Sequence, residues 1–265
     1  MGNIRLIALD IDLTLTSKKD VISDRNLAAI RAAQAAGVFV TIATGRGFLS
    51  SRRIWRALAI EGPTIQYGGA MLVHSPDGTP LRVHALQADL VHDALEAAHE
   101  LGIHVQIFEG DTVVTERDCE FFRYYCARTD LPFRIEPALR EQRHENIPKV
   151  LAYAEPSLAP ECRDRLEEAL GGRALVTISQ PGFLEINGRD VSKGAALAEL
   201  AAMRGVAQAA VAAIGDSTLD LSMVEWAGQG VAVANSTPEV LAAADLVVPA
   251  CEEDGVAVYI EQYVL

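Results

Sequence analysis

The 265-residue sequence predicts an α/β fold: a doubly wound parallel-sheet (Rossmann-like) core with an inserted α+β domain. Three observations carry that expectation. Short apolar runs at Ile4–Leu9, Val38–Ala43 and Ala209–Ile214 each end in polar residues, as buried parallel strands do. Helix-length segments lie between them, the strand–helix alternation of a parallel sheet. From about Leu81 to Ile186 the pattern changes to strands at hairpin spacing, which belong to a different unit.

Taken in order, Ile4–Leu9 is the first strand. Ser23–Ala36 follows as a helix, with Ser23 suited to cap its N-terminus and Gly37 to stop it. Val38–Ala43 is the second strand, Leu49–Leu58 a helix, and Thr64–Gln66 a third strand of the same winding. After the interruption come a helix at Val191–Met203, a strand at Ala209–Ile214 and a helix at Leu219–Trp226. Strands at Gly230–Ala234 and Leu246–Val248 are each followed by a helix.

The middle carries strands at Arg82–Ala85, His104–Glu109, Thr112–Thr115, Val150–Ala154, Leu175–Ser179 and Phe183–Ile186. Helices at Asp89–Glu100, Cys119–Arg128 and Pro160–Ala169 lie between them. Turns at Gly110-Asp111 and Gln180-Pro181-Gly182 make antiparallel hairpins. The expected division is a core from residues 1–81 and 188–265, with an inserted domain at 82–187.

Composition narrows the function classes. The chain has 23 Lys and Arg against 36 Asp and Glu, a net charge of −13. That charge disfavours general binding to nucleic-acid backbones and anionic membranes. No apolar run reaches the roughly 18 residues of a membrane span, and Met1–Asp12 lacks the long apolar stretch of a secretory leader. Cys119, Cys126, Cys162 and Cys251 form no C-x-x-C pair and suggest reduced thiols in a cytoplasmic protein.

Ligands of open parallel sheets bind beyond the carboxyl ends of the strands. There this sequence places Asp10-Ile11-Asp12-Leu13-Thr14, Thr44-Gly45-Arg46 and Gly215-Asp216-Ser217-Thr218-Leu219-Asp220, with Lys193 at the start of a helix. On an extended strand Asp10 and Asp12 would face one side. Close carboxylates need a cation or a proton between them, and with Asp216 they make an all-oxygen site suited to Mg²⁺. Thr44 and the Gly45 N–H, placed at a helix N-terminus, can hold phosphate oxygens, and Lys193 adds a positive charge. Any one such Asp is ordinarily a turn or helix-cap residue. The coincidence of all four segments at ordered strand ends favours a site, while Asp220 fits a helix cap equally well.

The chain resembles the haloacid dehalogenase superfamily of phosphohydrolases, in its Cof-type branch with a large α/β (C2-type) cap. The matching stretches are Ala8–Leu15, Ala43–Arg46, Ser192–Gly194, Ile214–Met223 and Glu253–Ala257, which run in order along the whole chain. The resemblance implies that Asp10 is a nucleophile forming an aspartyl-phosphate, and that Asp12 protonates the leaving alcohol and then activates water. It implies that Thr44 and Lys193 bind the transferring phosphoryl group, with Ile11, Gly45 and Arg46 beside them. Mg²⁺ would be held by Asp10, the Asp12 carbonyl and Asp216, supported by Ser217 and Asp220.

Two residues depart from that family's pattern: Leu13 stands where it usually has Gly, and Leu219 where it has Asn. The Leu219 change removes one polar contact to phosphate, worth roughly 0.5–1.5 kcal/mol. In the cap, Arg123, Arg128, Arg134, Arg140 and Arg143 could grip a second anionic group, though salt bridges in so acidic a chain account for each singly. Phe121, Phe122, Tyr124, Tyr125, Trp55 and Trp226 suit packing, and the six histidines show no ligand spacing.

The expected function is therefore a Mg²⁺-dependent phosphatase of a small phosphorylated metabolite, a sugar phosphate foremost, with neither nucleic acid nor membrane as partner. A phosphomutase of the same superfamily and a non-catalytic phospho-ligand-binding protein are the competing readings. The sequence leaves the oligomeric state open.

Overall fold

The computed structural model describes residues 4–18, 20–75 and 77–265; Met1–Asn3, at the head of the expected core, lie outside them. Two compact units result: residues 1–82 with 192–265, and residues 83–191. The second crossing falls later than residue 187, because the last strand of the inserted unit runs on to Gly188.

In chain order the first unit begins with β1 (Leu6–Leu9), α1 (Asp24–Ala35), β2 (Phe39–Ile42), α2 (Arg52–Ala57), β3 (Gly62–Gln66), β4 (Met71–Ser75) and β5 (Thr79–Val83). The inserted unit comprises α3 (Ala88–Glu100), β6 (His104–Glu109), β7 (Thr112–Thr115), α4 (Glu120–Thr129), β8 (Phe133–Ile135), β9 (Val150–Tyr153), α5 (Ala159–Ala169), β10 (Ala174–Gln180) and β11 (Phe183–Gly188). The chain then returns with α6 (Lys193–Met203), β12 (Val211–Gly215), α7 (Leu221–Trp226), β13 (Gln229–Val233), α8 (Pro238–Ala243), β14 (Leu246–Val248) and α9 (Gly255–Tyr259).

Parallel strands in the order β14-β13-β12-β1-β2 form the core sheet, with Leu9 in register with both Ile42 and Ile214. All four residues of β1 are buried, because helices cover both faces of the sheet. Ser23 caps α1 by accepting the Asn26 N–H at 3.1 Å, a contact worth about 1 kcal/mol. The third strand does not join this sheet as expected. Ala43 makes one parallel bridge to Ile65, and β3 instead pairs antiparallel with β4 in a separate sheet, β3-β4-β5. The strand expected at Arg82–Ala85 is in fact β5, which ends at Val83 in that small sheet.

The inserted unit has a six-stranded sheet, β10-β11-β9-β6-β7-β8, with antiparallel hairpins turning at Gly110-Asp111 and Pro181-Gly182. Val105, Ile107, Val150, Ala152, Leu184 and Ile186 pack one face of it against α3 and α5. Near the other face, Phe121 of α4 stacks on Tyr153 with ring centroids 3.8 Å apart.

Candidate active site

Asp10, Asp216 and Asp220 gather beyond the carboxyl ends of β1 and β12, with carboxylate oxygens within 4.8 Å of one another. Asp10 is anchored by its N–H to the Ile214 carbonyl at 3.0 Å, which continues the β1–β12 ladder by one residue. Lys193 Nζ lies between two of the acids, 2.6 Å from Asp10 Oδ1 and 2.5 Å from Asp220 Oδ1. All four side chains are buried.

Lys193 is the first residue of α6, behind the N-cap Ser192. A cation at a helix N-terminus opposes the helix dipole, and burial disfavours its charge further. Asp10 and Asp220 more than reverse the effect of burial and raise the ammonium pKa above its ordinary value. Two glycines permit the assembly. Any Cβ at Gly194 would stand 2.3 Å from the Ser222 carbonyl, and one at Gly215 would stand 2.3 Å from Asp220 Cβ.

Asp220 was open to two readings, and its hydrogen bonds decide between them. It precedes α7 but makes no side-chain cap bond there. Its Oδ2 instead accepts from the Asp216 N–H, the Ser217 N–H and the Ser217 hydroxyl, at 3.1, 2.9 and 2.8 Å. Asp216 Oδ1 accepts the Thr14 hydroxyl at 2.7 Å. Thr14, a link no sequence signal singled out, thus ties the loop after β1 to the loop after β12.

Three carboxylates face one ammonium, and burial together with the excess negative charge raises Asp10 and Asp216. Burial first, and then Asp220, push the Asp10 carboxyl well above the usual carboxylate range. Burial likewise pushes Asp216 up to about 6, although the Thr14 hydroxyl pulls the other way.

Asp12 does not share this cluster. The chain leaves the strand at Leu9, so alternation no longer holds, and the Asp12 side chain is 48% exposed. Arg46 takes both of its oxygens, Nε at 2.8 Å and Nη2 at 2.6 Å, while Nη1 takes Asp20 at 2.6 Å. Arg46 is therefore held by two acids, and Asp20 is a partner no sequence signal singled out. Ile11 is buried, and its carbonyl accepts from the Leu15 and Thr16 N–H groups. Thr44 and Gly45 do not stand at a helix N-terminus. The helix begins only at Arg52, since Gly45, Gly47, Ser50 and Ser51 are poor helix formers. Thr44 Oγ1 accepts the Arg46 N–H at 3.1 Å.

Leu13 is 56% exposed and sits in the left-handed region at φ 64°. Its carbonyl accepts from Asn235 Nδ2 at 2.8 Å, and Asn235 Oδ1 accepts the Cys251 N–H at 2.8 Å. In the inserted unit, Arg123, Arg134, Arg140 and Arg143 pair with Asp118, Glu109, Glu96 and Glu116, and Glu145, and Arg128 bonds the Tyr124 hydroxyl. None of the described helices is long and apolar enough to cross a membrane.

A family model described as haloacid dehalogenase-like hydrolase matches residues 7–260. The chain is 32% identical to YxeH of Bacillus subtilis (strain 168), over 98% of each chain. It is 29% identical to the 5-amino-6-(5-phospho-D-ribitylamino)uracil phosphatase YitU of the same organism, over 97% of each. Among solved structures, a haloacid dehalogenase-like hydrolase from Bacteroides thetaiotaomicron superposes with a TM-score of 0.88. The two are 27% identical, over 98% of this chain and 99% of that one.

Proposed function

The chain belongs to the haloacid dehalogenase-like hydrolases and is a phosphatase, and from that premise we propose that it hydrolyses a small sugar or polyol phosphate through an aspartyl-phosphate on Asp10, with Mg²⁺ as cofactor. The observation that carries this reading is the buried Asp10–Lys193–Asp220 bridge with Asp216 beside it.

The donor set fits a hard divalent cation: buried carboxylates, all oxygen, in excess over one ammonium. Asp10 and Asp216 would hold the ion, together with the Asp12 carbonyl that the family uses. Both oxygens of Asp220 are already occupied by Lys193 and the 216–217 donors, so Asp220 supports the site. Bound there, Mg²⁺ supplies the charge that keeps the carboxylates ionised and offsets the phosphoryl oxygens.

Lys193 orients the Asp10 carboxylate for attack on phosphorus, where a new O–P bond forms as the ester oxygen leaves. Asp12 gives that oxygen a proton and later takes one from water. The bidentate Arg46 contact favours the carboxylate form that the second step needs. In the first step the pair opens and Asp12 takes up a proton from solvent, which it passes to the leaving oxygen. The Thr44 hydroxyl hydrogen is available to a phosphoryl oxygen. A polyol phosphate is favoured by the relative whose name specifies a phospho-D-ribityl group.

Phosphate release from a panel of sugar, polyol and nucleotide monophosphates, with Mg²⁺ and with EDTA, tests the reading. Mg²⁺-dependent release on polyol phosphates, lost in Asp10→Asn, is expected. Release indifferent to EDTA, or within tenfold of wild type in Asp10→Asn, overturns it.

A further inference from the structure

A second constellation lies in the inserted unit. Cys119 Sγ, just ahead of α4, is 3.3 Å from Nδ1 of His104 on β6, and His104 Nε2 is 3.0 Å from Gln106 Oε1. An amide oxygen only accepts, so Nε2 carries the ring hydrogen and Nδ1 is left to accept the thiol proton. The sulfur also accepts the Phe122 N–H at 3.4 Å, at the start of a ten-residue helix whose N-terminus favours negative charge. Nucleophile, base and a group that orients the base are thus within reach of one another.

Helix capping alone does not account for this arrangement. Ser, Thr, Asp and Asn are the preferred caps, and capping needs neither an imidazole nor an amide behind the sulfur. Gln106 is fully buried, and its Nε2 has no hydrogen-bond partner among the described residues. The rings of Phe121 and Phe122, centred 5.2 and 5.8 Å from that of His104, fix the imidazole. Burial holds the His104 pKa below the ordinary imidazole value, so the resting ring is neutral and its Nδ1 faces the thiol as an acceptor. Cys126, Cys162 and Cys251 are buried, and burial pushes their thiols up, whereas Cys119 is half-buried.

We propose that Cys119 is a reactive thiol and a site of covalent modification by small-molecule disulfides, with His104 as its base and Gln106 positioning that base. His104 Nδ1 takes the thiol proton as Sγ attacks one sulfur of the disulfide. The new S–S bond forms while the old one breaks, and the leaving thiolate departs with the electron pair and receives the proton from His104. The products are a mixed disulfide on Cys119 and one free small thiol.

Native protein at pH 7 is alkylated with iodoacetamide in competition with free glutathione, and each cysteine is followed by peptide mass spectrometry. Cys119 should react about tenfold or more faster than glutathione. His104→Phe, which keeps a ring against Phe121 and Phe122, should remove that advantage, and Gln106→Leu should reduce it. Oxidised glutathione should add one dithiothreitol-reversible adduct, at Cys119. A Cys119 rate no greater than that of glutathione, an unchanged rate in His104→Phe, or no glutathione adduct overturns the proposal. Should His104→Phe fail to fold, the wild-type competition with glutathione decides alone.

Discussion

Arg46 holds Asp12 by both carboxylate oxygens, at 2.8 and 2.6 Å. Asp12 is thereby separated in role from Asp10, two residues away, whose partner is Lys193. The two acids of one short motif sit in different electrostatic surroundings, and the proposed division of labour between nucleophile and proton carrier follows from that difference.

Asp12→Asn should therefore discriminate between leaving groups. General acid catalysis is worth roughly 10²–10⁴-fold, and p-nitrophenol needs little of it. Single-turnover kinetics should show the first step falling at least about a hundredfold on an alkyl phosphate and less than about tenfold on p-nitrophenyl phosphate. Equal losses on both would remove Asp12 from the proton transfer.

Arg46→Ala should act on stability more than Asp12→Asn does. The Asp20 side chain is only 7% exposed, so losing Arg46 strands a nearly buried carboxylate, at a cost of about 3 kcal/mol. Half-exposed Asp12 contributes under about 1 kcal/mol to its pair. Urea denaturation of the two variants, side by side, measures the contrast.

The acid cluster sets a pH dependence on the metal-free protein. Asp216 is raised from 3.8 to about 6, so its contribution to stability is fully present below 3.8 and lost as pH rises through about 6. The loss amounts to about 3 kcal/mol, and Asp10, raised for the same reasons, acts in the same direction. Thermal melts in EDTA should show higher stability at pH 5 than at pH 7.5. Mg²⁺ should raise Tm more at pH 7.5, and Asp216→Asn should flatten the pH slope. A Tm in EDTA that rises from pH 5 to 7.5 would contradict this account.

Leu13→Gly should stabilise the fold. A leucine at φ 64° carries a strain of about 1–2 kcal/mol that glycine avoids, less the entropy glycine loses on folding. A gain of about 0.5–1 kcal/mol in chemical denaturation is expected, and a loss would mean that the exposed side chain has a role of its own.

Gly215→Ala should abolish phosphatase activity while leaving the chain folded. Its Cβ would displace Asp220, and with it one of the two carboxylates on Lys193. Activity within tenfold of wild type, with Asp220→Asn inactive, would show that the loop can yield.

Much of this was legible in the residues. Apolar runs that end in acids located β1 and β12, and the motif order brought Asp10, Lys193 and Asp216 together. Pairing partners were less visible. Gly62–Gln66 is buried throughout, as a core strand is, yet the adjacent Met71–Ser75 claims it across a short turn. The Asp12 side chain could not be placed by alternation, because alternation lapses once the backbone leaves the strand. The Arg46–Asp20 contact joins two loops, where no periodicity operates.

One strand of the core sheet is flanked by partners far apart in the sequence: β1 lies between β2, some 30 residues on, and β12, about 200 residues on. At ribosomal speeds of 5–20 residues per second, roughly 9–35 seconds separate the two pairings. During that interval β1 presents an unpaired edge and an incomplete apolar face, while the intervening unit, continuous in sequence, can already close on itself. Ribosome-stalled chains long enough for Val191 to have left the exit tunnel while β12 is still inside it should accordingly show a protease-resistant 83–191 segment and a digestible N-terminal segment, and uniform resistance would refute this order of assembly. Synthesis thus withholds Lys193 and Asp216 from Asp10 until both halves of the core have been made, so a chain interrupted before residue 193 cannot assemble the Asp10–Lys193–Asp216 cluster.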